Sequence, residues 1–342
     1  MTNWQATAEL AKLPPLVDSF TGRKVLLVGD LVADHYIKGK SSRLSREAPV
    51  IILKYQEEYV VPGQVGNTAA NIAALGGQAM LVGVVGSDAR GQQLCDALSD
   101  SGVDLAGIVK SEGGATLTKT RLLAGGHHTA RQQVIRIDDD ERLTPTDKDR
   151  RAIHAAMRRA GKHADAVIVS DYGYGVIDEP TWQLALDIAT TRGIPLVLDS
   201  RYSLTQWKGA TLITPNEEEA VAAAGLAGTC GYNIVEVGKK IRRLSQCQNL
   251  IITRGNEGMI LFTGKGQPTQ LPIFGSDECT DVTGAGDTVV ATSTLALAAG
   301  AKPAQAMVLS NLAGSIVVMK MGTATLTQEE MHAGFEMIPT AG

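Results

Sequence analysis

This sequence predicts an α/β fold, a parallel sheet covered by helices and carrying a small β insertion, and three observations lead there. After Thr144 short apolar runs alternate regularly with helical stretches. Before it, two segments interleave β-branched and polar residues without any helical period. The 342 residues are 44% apolar and only 4% aromatic, enough for a large, mainly aliphatic core.

In chain order, residues 1–21 read as a polar, partly helical lead-in broken at Pro14-Pro15. Val25-Leu26-Leu27-Val28 is a buried strand that stops at Gly29-Asp30. Between Tyr36 and Val61, runs such as Val50-Ile51-Ile52-Leu53 alternate with charged residues, as exposed strands do. An alanine-rich helix over 67–75, a strand over 79–85 and a helix over about 90–101 follow. Residues 116–137, with Thr116, Thr118 and Thr120 interleaved, extend the exposed sheet. Then come helix 146–162, strand 166–170, helix 178–192, strands 196–199 and 211–214, helices 216–224 and 233–245, and strand 250–253. Two apolar helices, 287–300 and 303–321, complete the pattern. No repeat or linker divides the chain, so residues 24–342 are expected to form one domain after a lead-in of 1–23, with inserted strands from about 36–61 and 116–137.

Composition narrows the function. With 32 basic and 36 acidic side chains the formal charge is −4, and no basic stretch is dense enough for a polyanion, so nucleic acid is not the expected partner. Cys95, Cys230, Cys247 and Cys279 are scattered, which predicts neither a zinc site nor a disulfide framework and suits a reducing cytoplasm. Residues 1–20 lack the order of a signal peptide, and 303–319 is too short and polar for a bilayer, so no membrane association is expected. The 37 glycines show no Gly-X-Y period and imply tight turns.

In parallel α/β sheets ligands bind beyond the carboxyl ends of the strands. Asp30, Asp34, Asp171, Asp199 with Arg201, Asn216 with Glu219, and Thr253 with Gly255 should therefore converge on one edge. The most informative segment is Asp281-Val282-Thr283-Gly284-Ala285-Gly286-Asp287, directly before a helix. Its glycines let successive N–H groups point at one spot, at the positive end of the helix dipole, and so make an anion hole. Asp287 beside it could take the proton of an attacking hydroxyl, the chemistry of phosphoryl transfer. The same residues also admit a plain turn with Asp287 as helix cap. Neither a P-loop nor a dinucleotide fingerprint is present.

That segment, together with Thr253-Arg254-Gly255-Asn256-Glu257-Gly258 and Thr214-Pro215-Asn216-Glu217-Glu218-Glu219, resembles the ribokinase-like (PfkB) carbohydrate kinase family from about residue 24 to 332. The resemblance implies a three-layer α/β/α sandwich with a small β-sheet lid, and ATP and magnesium as cofactors. It implies that Asp287 is the catalytic base, that the backbone of Gly284, Ala285 and Gly286 is the anion hole, and that Asn216 and Glu219 arrange the phosphates and a magnesium ion, held by Glu219 through water. It places Thr253, Gly255 and Gly258 in the nucleotide loop and Asn311 beside the base. Asp281 and Thr283 sit where some members hold a monovalent cation such as potassium. Read without the resemblance, Asn216 is a helix cap, Thr253 a strand end and Asn311 a buried polar residue.

For the acceptor, the likeness implies Asp34, Gly63 and Asn67 as sugar ligands, with Asp171 and Arg201 nearby. Ser42 to Val50, Asn71 to Gly76, Ser170-Asp171-Tyr172 and Leu212 to Asn216 are most similar to the kinase half of the bifunctional enzymes that make ADP-heptose. This implies phosphorylation of the C1 hydroxyl of D-glycero-β-D-manno-heptose 7-phosphate. Gln64, Tyr174 and Asp199-Ser200-Arg201 depart from that pattern; Arg201 can still bind a phosphate, whereas Tyr174 brings no charge. The expected alternatives are a kinase for another sugar or nucleoside, and a non-catalytic binding protein on the same fold. The chain stops near residue 342, so the nucleotidyltransferase is expected on a separate protein. Apolar lid residues Val50, Ile52, Val60 and Val134 suggest a homodimer through the lid. His127-His128 read as a loop tip, and Asp138-Asp139-Asp140-Glu141 as a solvated turn rather than metal ligands.

Overall fold

Strand β1 (Lys24–Gly29) sits inside a nine-stranded sheet and sends its side chains to two different cores, Val25 and Leu27 to one face and Leu26 and Val28 to the other. The computed structural model describes residues 5, 9–125, 132–139, 143–228, 231–264, 266–275 and 279–338. The large sheet comprises β4 (Gln78–Gly86), β5 (Asp104–Ser111), β8 (Ala166–Asp171), β9 (Leu196–Ser200), β10 (Leu212–Ile213), β11 (Asn249–Thr253), β12 (Met259–Thr263) and β13 (Thr269–Leu271), besides β1. Their spatial order is β13-β12-β11-β10-β9-β8-β1-β4-β5.

On one face pack α1 (Leu13–Asp18), α2 (Val65–Ala74), α3 (Ala89–Asp100), α8 (Ala285–Ala298), α9 (Pro303–Val317) and α10 (Gln328–Gly334). On the other lie α4 (Asp147–Gly161), α5 (Glu179–Arg192), α6 (Glu217–Ala223) and α7 (Ile234–Ser245). The result is a three-layer sandwich. The second sheet, ordered β3-β2-β6-β7, is made of β2 (Leu31–Leu44), β3 (Ile51–Gln64), β6 (Thr118–Gly125) and β7 (Gln132–Asp139), and forms the lid.

The structure corrects the sequence reading in three places. The sheet is not wholly parallel, because β12 pairs antiparallel with β11, and β13 with β12, at one edge. Those two strands and α10 lack helix–strand alternation around them and escape the pattern, and β5 escapes it as a half-buried strand at the opposite edge of the sheet. Pro14 and Pro15 do not break the lead-in; they stand in the first turn of α1, where a missing N–H costs nothing. Nor is the lead-in merely polar, since Leu13, Val17 and Phe20 are fully buried in the main core. Among the described residues no helix is long and apolar enough to cross a membrane.

Candidate active site

The carboxyl ends of β1, β8, β9, β10 and β11 meet the amino end of α8 on one side of the sheet. Gly284 caps α8 with φ +80°, a conformation that disfavours any side chain, and a Cβ there would lie 2.6 Å from Nδ2 of Asn67. Asp287, in the first turn, makes no cap hydrogen bond to its own helix, so the plain-cap reading fails. Its carboxylate instead accepts from Asn67 Nδ2 at 2.7 Å and from the Thr68 hydroxyl at 3.2 Å. The next residue, Thr288, donates its hydroxyl to Asn71 Oδ1 at 3.1 Å, and Asn71 Nδ2 donates to the Asn67 carbonyl at 3.0 Å. A polar seam between α2 and α8 therefore fixes the Asp287 rotamer. Burial, reinforced by the nearby Asp199 carboxylate, pushes Asp287 up to about 8, against the two hydrogen bonds.

Asp281 lies in the turn before α8, where its carboxylate accepts from the amides of Thr283 and Gly322, each at 2.9 Å. Burial raises it, yet the Thr283 and Gly322 hydrogen bonds outweigh this and hold it below the usual carboxylate range.

A cleft of about 620 Å³ opens beside the α8 terminus. Asn216, Thr253, Gly255, Gly258 and Asn311 line it, as do Ala285 and Gly286. Asn216 and Thr253 are neighbours through a lone parallel bridge. Asn216 is in fact a helix cap, accepting from the Glu219 amide at 2.8 Å, while the Glu219 carboxylate accepts in return from the Asn216 amide at 3.0 Å. Burial raises Glu219. Asp199, raised to about 7 by burial and next by the charge of Glu219, stands close by. Asn311 is buried and donates to the Pro272 carbonyl at 2.7 Å, tying α9 to the cleft wall. Gly258 has φ +82° and a Cβ there would meet the Leu271 carbonyl at 2.1 Å, so its glycine is steric. Gly286 differs: its φ is ordinary and no atom lies within 4 Å of the place a Cβ would take, so only open cleft occupies that space. Backbone N–H groups at a helix start with room in front of them suit a nucleotide phosphate.

On the lid side Asp34 is buried and paired with Arg121. Burial raises its pKa, and Arg121, Lys119 and Arg136 oppose this. Gly63 is required here, because a Cβ would come within 2.9 Å of the Asp34 carboxylate. Gln64, next to it, is held at φ 55° and ψ −130°, which explains why glycine suits this hinge position better. Asp171 turns out to be structural in its bonding, accepting from Trp207 Nε1 at 2.7 Å, the Ser200 hydroxyl at 3.2 Å and the Gly173 amide at 3.1 Å. Arg201 is exposed, with its guanidinium 5.6 Å from the Tyr202 ring, and it offsets the burial of Glu219 electrostatically. Asp30 accepts from the amides of Tyr172, Tyr174 and Val176, and burial still drives it up to about 6. Asp138 belongs to an ion pair with Arg136, while His127, His128, Asp140 and Glu141 lie outside the described residues.

Sequence reasoning missed Thr68 and Asn71 as supports of Asp287. The i, i+4 spacing of Asn67 and Asn71 on an alanine-rich helix is the signal that would have found them. It also missed Lys119 and Arg121, because lid strands alternate polar residues whether or not they serve a site.

A sandwich whose sheet edge holds a buried carboxylate at a helix start, with a nucleotide-sized cleft on one side and a lid on the other, defines a small-molecule kinase of the α/β class. Known proteins agree: the profile of the pfkB family carbohydrate kinases matches residues 23–330. The chain belongs to this family of ATP-dependent sugar kinases. It is 38% identical over 307 residues to the bifunctional protein HldE of Geobacter metallireducens, covering 90% of this chain and 61% of that protein. With the HldE of Caulobacter vibrioides it shares 38% over 327 residues, 95% of this chain and 65% of the relative. The chain thus spans less than two thirds of these curated relatives. The fold is ribokinase-like. Arabidopsis thaliana ribokinase, complexed with ribose and ATP, superposes with a TM-score of 0.70 at 19% identity, covering 92% of this chain and 99% of that one. Escherichia coli phosphofructokinase-2, in complex with substrates and products, gives 0.73 at 19%, covering 92% and 98%.

Proposed function

We propose that this protein transfers the γ-phosphoryl group of ATP to the C1 hydroxyl of D-glycero-β-D-manno-heptose 7-phosphate, giving the 1,7-bisphosphate. The observation that carries the reading is Asp287, buried, oriented by Asn67 and Thr68, and set at the start of α8 beside the cleft. Asp287 takes the C1 proton, the freed oxygen attacks the γ-phosphorus in line, and ADP departs with the electrons of the broken P–O bond. The amides at Gly284, Ala285 and Gly286 face the charge that develops on the transferred group. Asn216, Thr253, Gly255, Gly258 and Asn311 hold the nucleotide. Asp34 and Asn67 bind acceptor hydroxyls; Asn67 keeps one amide proton beyond the one given to Asp287.

Magnesium suits the donors present, because Asp199 and Glu219 are hard oxygen ligands whose mutual repulsion a divalent cation would relieve. Glu219 would hold it through water, and when bound it neutralises phosphate charge. Asp281, kept ionised beside Thr283, is where we assign a potassium ion. The sandwich, α1 of the lead-in included, acts with the lid as one catalytic unit, in the cytoplasm and as a dimer through the lid. Gln64, a side chain where the hinge favours glycine, supports a second reading, a kinase for another sugar.

Two measurements test the proposal together. Asp287→Asn is expected to lower kcat by about 10³-fold or more while leaving ATP binding within a few-fold. A screen of sugars and sugar phosphates for ADP release should give the heptose phosphate the highest kcat/KM. Near-normal turnover by the variant would sink the mechanism, and turnover of unphosphorylated sugars alone would sink the substrate.

A further inference from the structure

The lid face turned toward the sheet carries more positive charge than Asp34 alone calls for. Across this face Asp34, Lys119 and Asp138 lie side by side on β2, β6 and β7. In the adjacent row Tyr59, Tyr36, Arg121 and Arg136 line up in the same way. Two arginines directly opposite each other on one face of a ladder repel, which works against the fold unless something else uses them. Their present partners are carboxylates: Arg121 pairs with Asp34, and Arg136 forks onto Asp138 at 2.7 and 2.6 Å. Arg121 also rests 5.3 Å from the Tyr36 ring, which is stacked on Tyr59. Lys119 is only 6% exposed. Its ammonium reaches Tyr174 of the main body, 3.0 Å from the hydroxyl, and lies 3.7 Å from Asp138. In these two rows, among the described residues, three cations share two carboxylates. Tyr174 brings no charge itself, and the lid delivers a cation to its hydroxyl.

We propose that Lys119, Arg121 and Arg136, with the Tyr174 hydroxyl, form the subsite that binds a phosphate monoester carried by the acceptor sugar. This rests on reading the protein as a sugar-phosphate kinase and names the residues that would make the phosphate count. A dianion supplies the charge that the paired arginines need, and their planar forks can hold its oxygens bidentately. The site begins on β6, the strand beside Asp34, and extends to β7, so a sugar whose hydroxyls meet Asp34 would carry its far-end phosphate onto those two strands. Because Tyr174 belongs to the body and the cations to the lid, a bound phosphate would also bridge the two.

The test compares kcat/KM for D-glycero-β-D-manno-heptose 7-phosphate with that for the same heptose lacking the phosphate, as a ratio within each protein, so that partial unfolding cancels. In Arg136→Gln and in Lys119→Gln, on separate strands, the ratio is expected to fall about 10- to 100-fold, the loss of one charge-assisted hydrogen bond. Arg136→Lys, which keeps the charge, should retain most of it. An unchanged ratio in both glutamine variants overturns the subsite. A wild-type protein with no preference for the phosphorylated sugar overturns the functional reading itself, before any substitution is made.

Discussion

Asp287 is the residue on which function and stability pull in opposite directions. Its carboxyl, at about 8 in the folded protein against an ordinary 3.8, is largely protonated near neutrality. A general base must be ionised, so kcat/KM for the acceptor should climb with pH and level off above about 8. A profile flat down to pH 5 would show that this carboxyl does not limit the reaction. The raised value also means that the native state keeps this proton when the unfolded chain has lost it. The stabilisation is complete below about 3.8 and disappears as pH rises through about 8. Asp287→Asn carries no such burden and can still accept from Asn67. Its melting temperature relative to the wild type should therefore increase steadily across that interval, while its activity is lost. The sequence was enough to single out Asp287 as the candidate base at a helix start; that Asn67, Thr68 and Asn71 hold it and its neighbour Thr288 was not legible, because those contacts join residues more than 200 positions apart.

At the scale of elements, the start of α8 separates two kinds of glycine. Gly258, in the β11–β12 turn, combines a positive φ with a 2.1 Å approach to the Leu271 carbonyl. Gly286 has neither constraint. Gly258→Ala should destabilise the protein by roughly 2 kcal/mol or more, through both strain and collision. Gly286→Ala should leave stability equal or raise it by about 0.5–1 kcal/mol, as alanine does in a helix, yet weaken ATP binding several-fold by filling the space in front of the amides. Chemical denaturation and nucleotide titration of both variants check the contrast. If Gly286→Ala binds ATP normally, the phosphates lie elsewhere. The sequence could mark both as glycine-rich turns but could not rank them, since the decisive facts are a distance to β13 and an empty volume. Elements with a clean period, such as α4 with its Thr146 and Asp149 capping box, were legible almost to the residue. The antiparallel pair β12 and β13 was not, because β12 is a short buried run without alternation and β13 is only three residues long.

On the scale of the whole molecule, the sandwich has both faces of its large sheet covered, whereas the lid buries residues on the inner face of β2 and β6 and leaves β7 exposed. Its inner face holds Asp34, Lys119 and the two arginines, and the alternation that sends these inward sends Ile135 and Ile137 outward, at 53% and 56% exposure. Val134, Leu44, Val50, Ile51 and Tyr55 add to the exposed apolar surface. The insertion of a β unit could be read from the sequence, but the two-sidedness of its strands could not, because the register between β2 and β3 and between β6 and β7 includes bulges. A four-stranded sheet with an apolar outer face and, among the described residues, no layer upon it favours association, and a second copy of the same face is self-complementary about a two-fold axis. The lid is therefore expected to mediate a dimer at micromolar concentration in sedimentation velocity. Ile135→Glu, placed on the outer face, should shift the protein toward monomer without lowering its stability by more than about 0.5 kcal/mol, as surface substitutions do. A wild type that sediments as a monomer at every concentration would remove the lid from consideration as an interface. If dimerisation instead survived Ile135→Glu unchanged, the contact would have to lie on another surface, and the exposed isoleucines would need a different explanation.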